Sequence, residues 1–258
     1  MPRTIILTVV ILCLIFGANI GLAQGVYVTA NAGYGLGAGT QGLDVNTGFT
    51  QTTTSYEGVY GSLGEGFKFG ASAGYMFSKN LGTELGFSYW LGKTFEGTQK
   101  QTNRTQSNKW SGSGFVAVPS IVVSANMKTI NPYARFGLVF GILKVKEEIR
   151  IETSQITEAT QEETGGLAFG YAGALGIVVP AGGTVDIFVE VGLQAFTFSP
   201  SQLELTKYTV NGVDRLPTVT DKVVKYEDSF NTGTPMVQLG VRRPFSSIGL
   251  VVGARISL

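Results

Sequence analysis

The chain has 258 residues, 36 of them Gly, with 14% charged residues and a formal net charge of +1, a balance that gives nucleic acid nothing to bind. It contains no His and one Cys, Cys13, so Cys/His metal sites and Ser-His or Cys-His nucleophile pairs lack their residues. Beyond the N-terminus no continuous apolar run reaches the roughly 20 residues of a membrane helix.

Residues 1–23, MPRTIILTVVILCLIFGANIGLA, have a positive start at Arg3, an apolar run over Ile5–Phe16, and small residues at Gly21 and Ala23. That pattern predicts a cleaved signal peptide over 1–23 and export. It leaves 24–258 as a single domain. No lipid attachment is expected at Cys13, which sits mid-run without small residues just before it. Loss of Arg3 takes the 19 basic residues to 18, against 18 acidic.

From Val26 the pattern is alternation at period 2, the mark of strands whose two faces meet different surroundings. Strand one covers about 26–36, with Val26, Val28, Ala30, Ala32, Tyr34 and Leu36 on one face and Thr29, Asn31, Gly33 and Gly35 on the other. A polar stretch, about 37–65, is too long for a hairpin turn. Strand two, 67–77, puts Phe67, Phe69, Ala71, Ala73, Tyr75 and Phe77 opposite Lys68, Gly70, Ser72, Gly74 and Met76. After the turn Ser78-Lys79-Asn80, strand three covers 81–91, with Leu85, Phe87 and Tyr89 against Glu84, Gly86, Ser88 and Trp90. Residues 92–109 read as a polar loop. Strand four covers about 110–124, and Pro119 within it predicts a bulge, because it removes a ladder donor.

Strand five covers 132–143, with Phe136, Leu138 and Phe140 opposite Arg135, Gly137 and Val139. Its alternation continues through 144–152, now carrying charges. Strand six covers 167–179 and strand seven 185–198, where Ile187, Val189 and Val191 oppose Asp186, Glu190 and Gln194. The connection 199–244 contains LTKYTV-NG-VDRL, a hairpin signal at Asn211-Gly212. The last segment, FSSIGLVVGARISL over 245–258, alternates Ile248, Leu250, Val252, Ala254, Ile256 and Leu258 with Ser247, Gly249, Val251, Gly253, Arg255 and Ser257, mostly small.

Eight strands with connections alternating long and short predict an all-β fold: an eight-stranded antiparallel up-and-down transmembrane β-barrel. It has short periplasmic turns and four long extracellular loops. A secreted soluble barrel of the lipocalin or streptavidin type alternates as well. The composition of the faces separates them. The small-residue face here, mainly Gly, Ala and Ser, is too poor in charge to be a solvated surface. It suits a narrow lumen that side chains must fill, while the large apolar face suits lipid. Tyr34, Tyr75, Tyr89 and Tyr133, near strand ends, fit aromatic girdles.

Glu84, Arg135, Glu190 and Arg255 share the small-residue face, lie three to six residues from a periplasmic end, and sum to zero charge. They predict a lumen ion-pair network, since buried charges persist when paired. A plug that sets register and a gate or proton path are both open to such a network. Residues 92–109 carry net +3 and 144–166 net −3. A basic loop near an anionic glycolipid leaflet has phosphates within reach; a solvated loop surface is the plainer reading. No catalytic, cofactor-binding or metal-binding residues are expected.

LGTELGFSYWLG (81–92), NPYARFGLVFG (131–141), FVEVGLQAFTFSP (188–200), YTVNGVDRL (208–216) and PFSSIGLVVGARISL (244–258) resemble the small OmpA/OmpX-type outer-membrane β-barrels, in versions common in Bacteroidetes. The likeness covers essentially all of 24–258. It departs at Leu258, where the family usually ends on an aromatic residue read by the β-barrel assembly machinery. The resemblance implies a monomer in the outer membrane of a Gram-negative cell, in contact with outer-membrane lipid and lipopolysaccharide. The residues then favour a structural or surface-interaction role without catalysis, docking an extracellular protein partner by strand addition. The alternative is a narrow channel or small-molecule conduit.

Overall fold

Alternation becomes pairing in the structure, a computed structural model that describes residues 25–49, 54–229, 231 and 236–258. The leader expected at 1–23, with Cys13, lies outside them. Eight long strands form: β1 (Gly25–Gly37), β2 (Gly66–Met76), β3 (Leu81–Gly92), β4 (Arg104–Ser124), β5 (Asn131–Glu152), β6 (Leu167–Gly182), β7 (Val185–Ser199) and β8 (Ser247–Ser257). Each pairs antiparallel with the next. β8 returns to β1, from Tyr27↔Ser257 to Gly37↔Ser247. The sheet is therefore a closed eight-stranded barrel, which leaves no unpaired edge along its wall. The short turns between β2 and β3, β4 and β5, and β6 and β7 lie at one end, the turn end. The other connections lie at the opposite, loop end.

The barrel is inside out relative to a soluble one. Side chains such as Phe69, Phe87, Phe115, Phe136, Ile142, Leu175, Val191 and Ile248 stand exposed on its outer face, Ile142 at 72% and Leu175 at 70%. The alternate positions close on one another inside. Register explains why this works from sequence: a slip of one residue in any strand would exchange its faces.

Three expectations change. β4 starts at Arg104, and the supposed loop before it contains the strand Phe95–Gln101, paired antiparallel from Phe95↔Trp110 to Gln101↔Arg104. Its Thr, Gln and Lys residues carry no hydrophobic alternation, so the long neighbour that holds it is what makes it a strand. Pro119 produces no bulge. The pairs Ala117↔Phe140 and Ser120↔Gly137 keep one register, and the ladder to β5 simply lapses between them. A missing donor interrupts pairing without needing an extra residue. The Asn211-Gly212 turn does form, with φ of 48° and 78° as a type I′ turn requires. Its return arm is only Val213–Asp214, however, and strand Gln202–Val210 pairs along its length with Ile156–Thr164.

These additions build a second sheet on the loop end. β4 and β5 stay paired out to Thr105↔Glu152, and Ile156–Thr164 adds to β5. Gln202–Val210 adds next, then Val223–Glu227. On the far side, the first connection forms a hairpin, Gln41–Phe49 with Thr54–Gly61, whose ladder to Phe95–Gln101 is the single pair Thr47↔Gln99.

The loop end of the lumen is filled. Trp90, Val116, Val139, Leu143, Phe196 and Phe198 form an apolar core with three side chains that come from the connections, Phe95, Leu63 and Phe245, the last two fully buried. Main-chain hydrogen bonds set these two in place: Leu63 N–H to Pro244 O at 3.1 Å and Phe245 N–H to Phe196 O at 3.1 Å. The Ser62 hydroxyl donates to Ser246 O at 2.7 Å. Nothing in the polar stretch 37–65 marked Leu63 as core, and Phe245 stands at the start of the last alternating segment, 245–258, with no sign that it would fill the lumen.

Candidate functional site

Below the apolar core lies a layer of charge. Glu84 on β3 and Glu190 on β7 face each other across the lumen, both buried. Arg135 on β5 reaches between them. Its Nη1 donates to Glu84 Oε1, and its Nη2 donates to Glu190 Oε1 at 2.6 Å. The second oxygen of each carboxylate accepts from a tyrosine: Tyr27 Oη donates to Glu84 Oε2 at 2.9 Å, and Tyr133 Oη to Glu190 Oε2 at 2.9 Å. Each carboxylate thus has a partner on both oxygens, which is what a buried ion needs.

The strands deliver the two halves in the same way. Across β1, β2 and β3 the register aligns Tyr27, Gly74 and Glu84. Across β5, β6 and β7 it aligns Tyr133, Gly176 and Glu190. In both rows the glycine sits under the tyrosine ring, and a Cβ there would collide with that ring. The ring therefore crosses a bare strand to reach the carboxylate beyond it. Arg135 joins the two rows.

Arg255 does not join this group. It stands opposite Asp186 in register, with its Nε 3.3 Å from Asp186 Oδ2, an ion-pair distance without hydrogen-bond geometry. Its guanidinium lies over the Tyr27 ring at 4.7 Å, so the ring stands between Arg255 and Glu84. The reason is local: a cross-strand neighbour of opposite sign is nearer than any residue across the lumen. Tyr133 is a second departure. It shares the parity of Arg135 and points inward, so it belongs to the layer and not to an outer girdle. Tyr27 and Asp186 were missed as site residues, although the parity of their strands places both inside.

Lys68 is the remaining inward charge near this layer. It is buried, with Nζ over the Trp90 ring at 5.3 Å. Lys68, Arg135 and Arg255 against Glu84, Asp186 and Glu190 sum to zero. Two cavities flank the Arg135–Glu190 pair. One of about 50 Å³ lies among Asn31, Lys68, Ser72, Gln194 and Glu190. The other, about 30 Å³, lies among Thr29, Met76, Glu84, Val122 and Phe188. Both have mixed polar and apolar linings and are sized for a few waters. Chemically, the arrangement holds charge in place and fixes register. Among the described residues, neither cavity beside this layer has room for more than a few waters.

No protein-family model matches the chain. No curated protein matches it in sequence. Among solved structures, the chain is similar to Neisserial surface protein A (NspA), with 13% identity over 91% of this chain and 98% of that one and a TM-score of 0.37. It is also similar to Ail, the attachment invasion locus protein of Yersinia pestis, with 11% identity over 91% and 99% of the two chains and a TM-score of 0.34.

Proposed function

We propose that the chain is an integral outer-membrane barrel with a non-catalytic surface-interaction role, its sheet at the loop end turned outward as the docking face. The observation that carries this is the outer wall. Large apolar side chains cover all eight strands, over an interior that holds the charges. A wall of that kind is stable in lipid and is an aggregation surface in water. In this reading the turn end is periplasmic and the loop end extracellular. The docking role rests on the second sheet, whose outermost strand at the first loop, Thr54–Gly61, has an edge left open among the described residues and exposed Tyr56 and Tyr60. An open edge next to exposed aromatics suits an extended segment of a protein partner. A conduit is the weaker reading, because the lumen is filled by an apolar core above and a paired charge layer below.

Single cysteines test this, since 24–258 contain none of their own. Tyr60→Cys should react with a membrane-impermeant maleimide on intact cells. Lys79→Cys, on a short turn, should react only after the outer membrane is opened. The unheated outer-membrane fraction should also migrate differently from the heated one on electrophoresis. Equal labelling of both positions in intact cells, or recovery in the soluble periplasm, would refute the reading.

A further inference from the structure

We propose that the loops are latched over the barrel mouth by a proton-sensitive junction at Glu147, which holds the first-loop hairpin when protonated and releases it when ionised. The junction lies in the part of β5 that extends beyond the wall. Glu147 faces the inner side of the second sheet, in register between Trp110 on β4 and Gln161 on the neighbouring strand.

Side chains from several connections meet there. Glu163 comes from the third, Arg243 and Tyr226 from the fourth, and Asp44 from the first. Arg243 is already committed: its Nε and Nη2 donate to Glu163 at 2.8 and 2.5 Å, and its guanidinium lies 5.1 Å over the Trp110 ring. Tyr226 Oη donates to the same Glu163 at 3.1 Å. β4 presents Trp110 and Asn108 to this side, with Gln106 and Arg104 farther out along the same face, and the second loop presents Gln99. When ionised, Glu147 therefore joins Glu163 and Asp44 against a single cation. Among the described residues Asp44 Oδ2 and Trp110 Nε1 are buried without a hydrogen-bond partner.

Burial lifts the Glu147 carboxyl from its ordinary 4.5 to about 7; Arg243 opposes the rise, and Glu163 and Asp44 add to it. A carboxyl held higher in the latched form than in the released form supports the latch fully below about pH 4.5. It withdraws that support as pH rises through about 7. The part free to respond is the first-loop hairpin. It is held there by the one pair with the second loop, by Thr98 N–H to Asn46 Oδ1 at 2.8 Å and Gln99 Nε2 to Asp44 Oδ1 at 3.1 Å, and by Leu43 and Val59, which pack against the apolar core. The β4–β5 ladder, by contrast, is continuous around Glu147.

Hydrogen exchange of residues 41–49 and 54–61, corrected for intrinsic rates and measured on the folded barrel in micelles, tests the latch whatever surrounds the barrel in the cell. Protection should fall about tenfold or more between pH 5.5 and 8.5, since one pKa unit of difference between the two forms carries a factor of ten. Glu147→Gln should remain protected at both. Trp90→Phe leaves Trp110 as the one tryptophan, and its emission should shift with a midpoint near that of the exchange. Asp44→Asn should move the midpoint to lower pH by removing a like charge. Equal protection at the two pH values, an unchanged pH response in Glu147→Gln, or an unmoved midpoint in Asp44→Asn would each overturn the proposal. A heat-shift assay on every variant shows that the barrel is folded.

Discussion

At the scale of single residues, the charged layer depends on what two glycines leave out. The Tyr27 and Tyr133 rings occupy the space that a side chain at Gly74 or Gly176 would need. Gly74→Ala and Gly176→Ala should therefore displace a ring, break its bond to Glu84 or Glu190, and destabilise by about 1–3 kcal/mol. Gly173→Ala, on the outer face with no atom near its absent Cβ, should stay within about 0.5 kcal/mol. Urea unfolding in vesicles measures both. Parity alone would make Gly74 a tolerant small-residue position; the tyrosine lying over it makes it intolerant. Arg135 is the second test. Arg135→Met leaves two buried carboxylates without their cation and should cost about 3–5 kcal/mol. In double-mutant cycles, Arg135→Met with Glu190→Gln should be non-additive by well over about 0.5 kcal/mol. Arg255→Met with Glu190→Gln should be additive within that margin. Additivity in the first cycle would mean the layer is solvated and uncoupled.

At the scale of elements, strands that cross the barrel wall and strands that leave it obey different rules. In the wall, one face is apolar and turned outward and the other packs the lumen, so β2 can be read directly from Phe67, Phe69, Ala71 and Ala73 against Lys68, Gly70 and Ser72. Phe69→Arg puts a charge on the outer face at mid-height and should destabilise the barrel in vesicles by about 2–4 kcal/mol, the depth-dependent cost of a cation in lipid. A harmless Phe69→Arg would show that this face does not meet hydrocarbon. Above the wall both faces of a strand are polar or partly so. Phe95–Gln101 therefore carries no alternation, and that of Gln202–Val210 is broken by a register shift between Leu205 and Lys207, so both are defined by the strands they pair with. For the same reason the Asn211-Gly212 turn was visible, being a backbone requirement, while the partner of the strand before it was not.

At the scale of the whole molecule, the barrel is closed twice. Leu63 and Phe245 seal its loop end as part of the apolar core, and the Glu84–Arg135–Glu190 layer crosses it lower down. The protein in a planar bilayer should show no steady conductance. Phe245→Ala should also remain silent, because the charged layer persists beneath the opened core. A steady open level in the unmodified protein would contradict the closed lumen. Eight strands make this natural, since a barrel of that size has an interior just wide enough for side chains.

The sequence by itself determined the eight wall strands, their faces and their order. Alternation at period 2 records which side of a strand is apolar, and a closed meander leaves little freedom in pairing. It also placed Glu84, Arg135 and Glu190 inside, because parity is a one-dimensional property. Which inward charges meet was decided only by the tertiary structure. The answer depends on cross-strand register and on distance around the barrel, which bring Asp186 beside Arg255 and set Tyr27 and Tyr133 against the two glutamates. The insertion of Leu63 and Phe245 into the lumen, and the meeting of Asp44, Glu147, Glu163 and Arg243 above it, are likewise contacts between segments far apart in the chain. No local pattern encodes them, because each arises where separate connections converge on the end of a closed barrel.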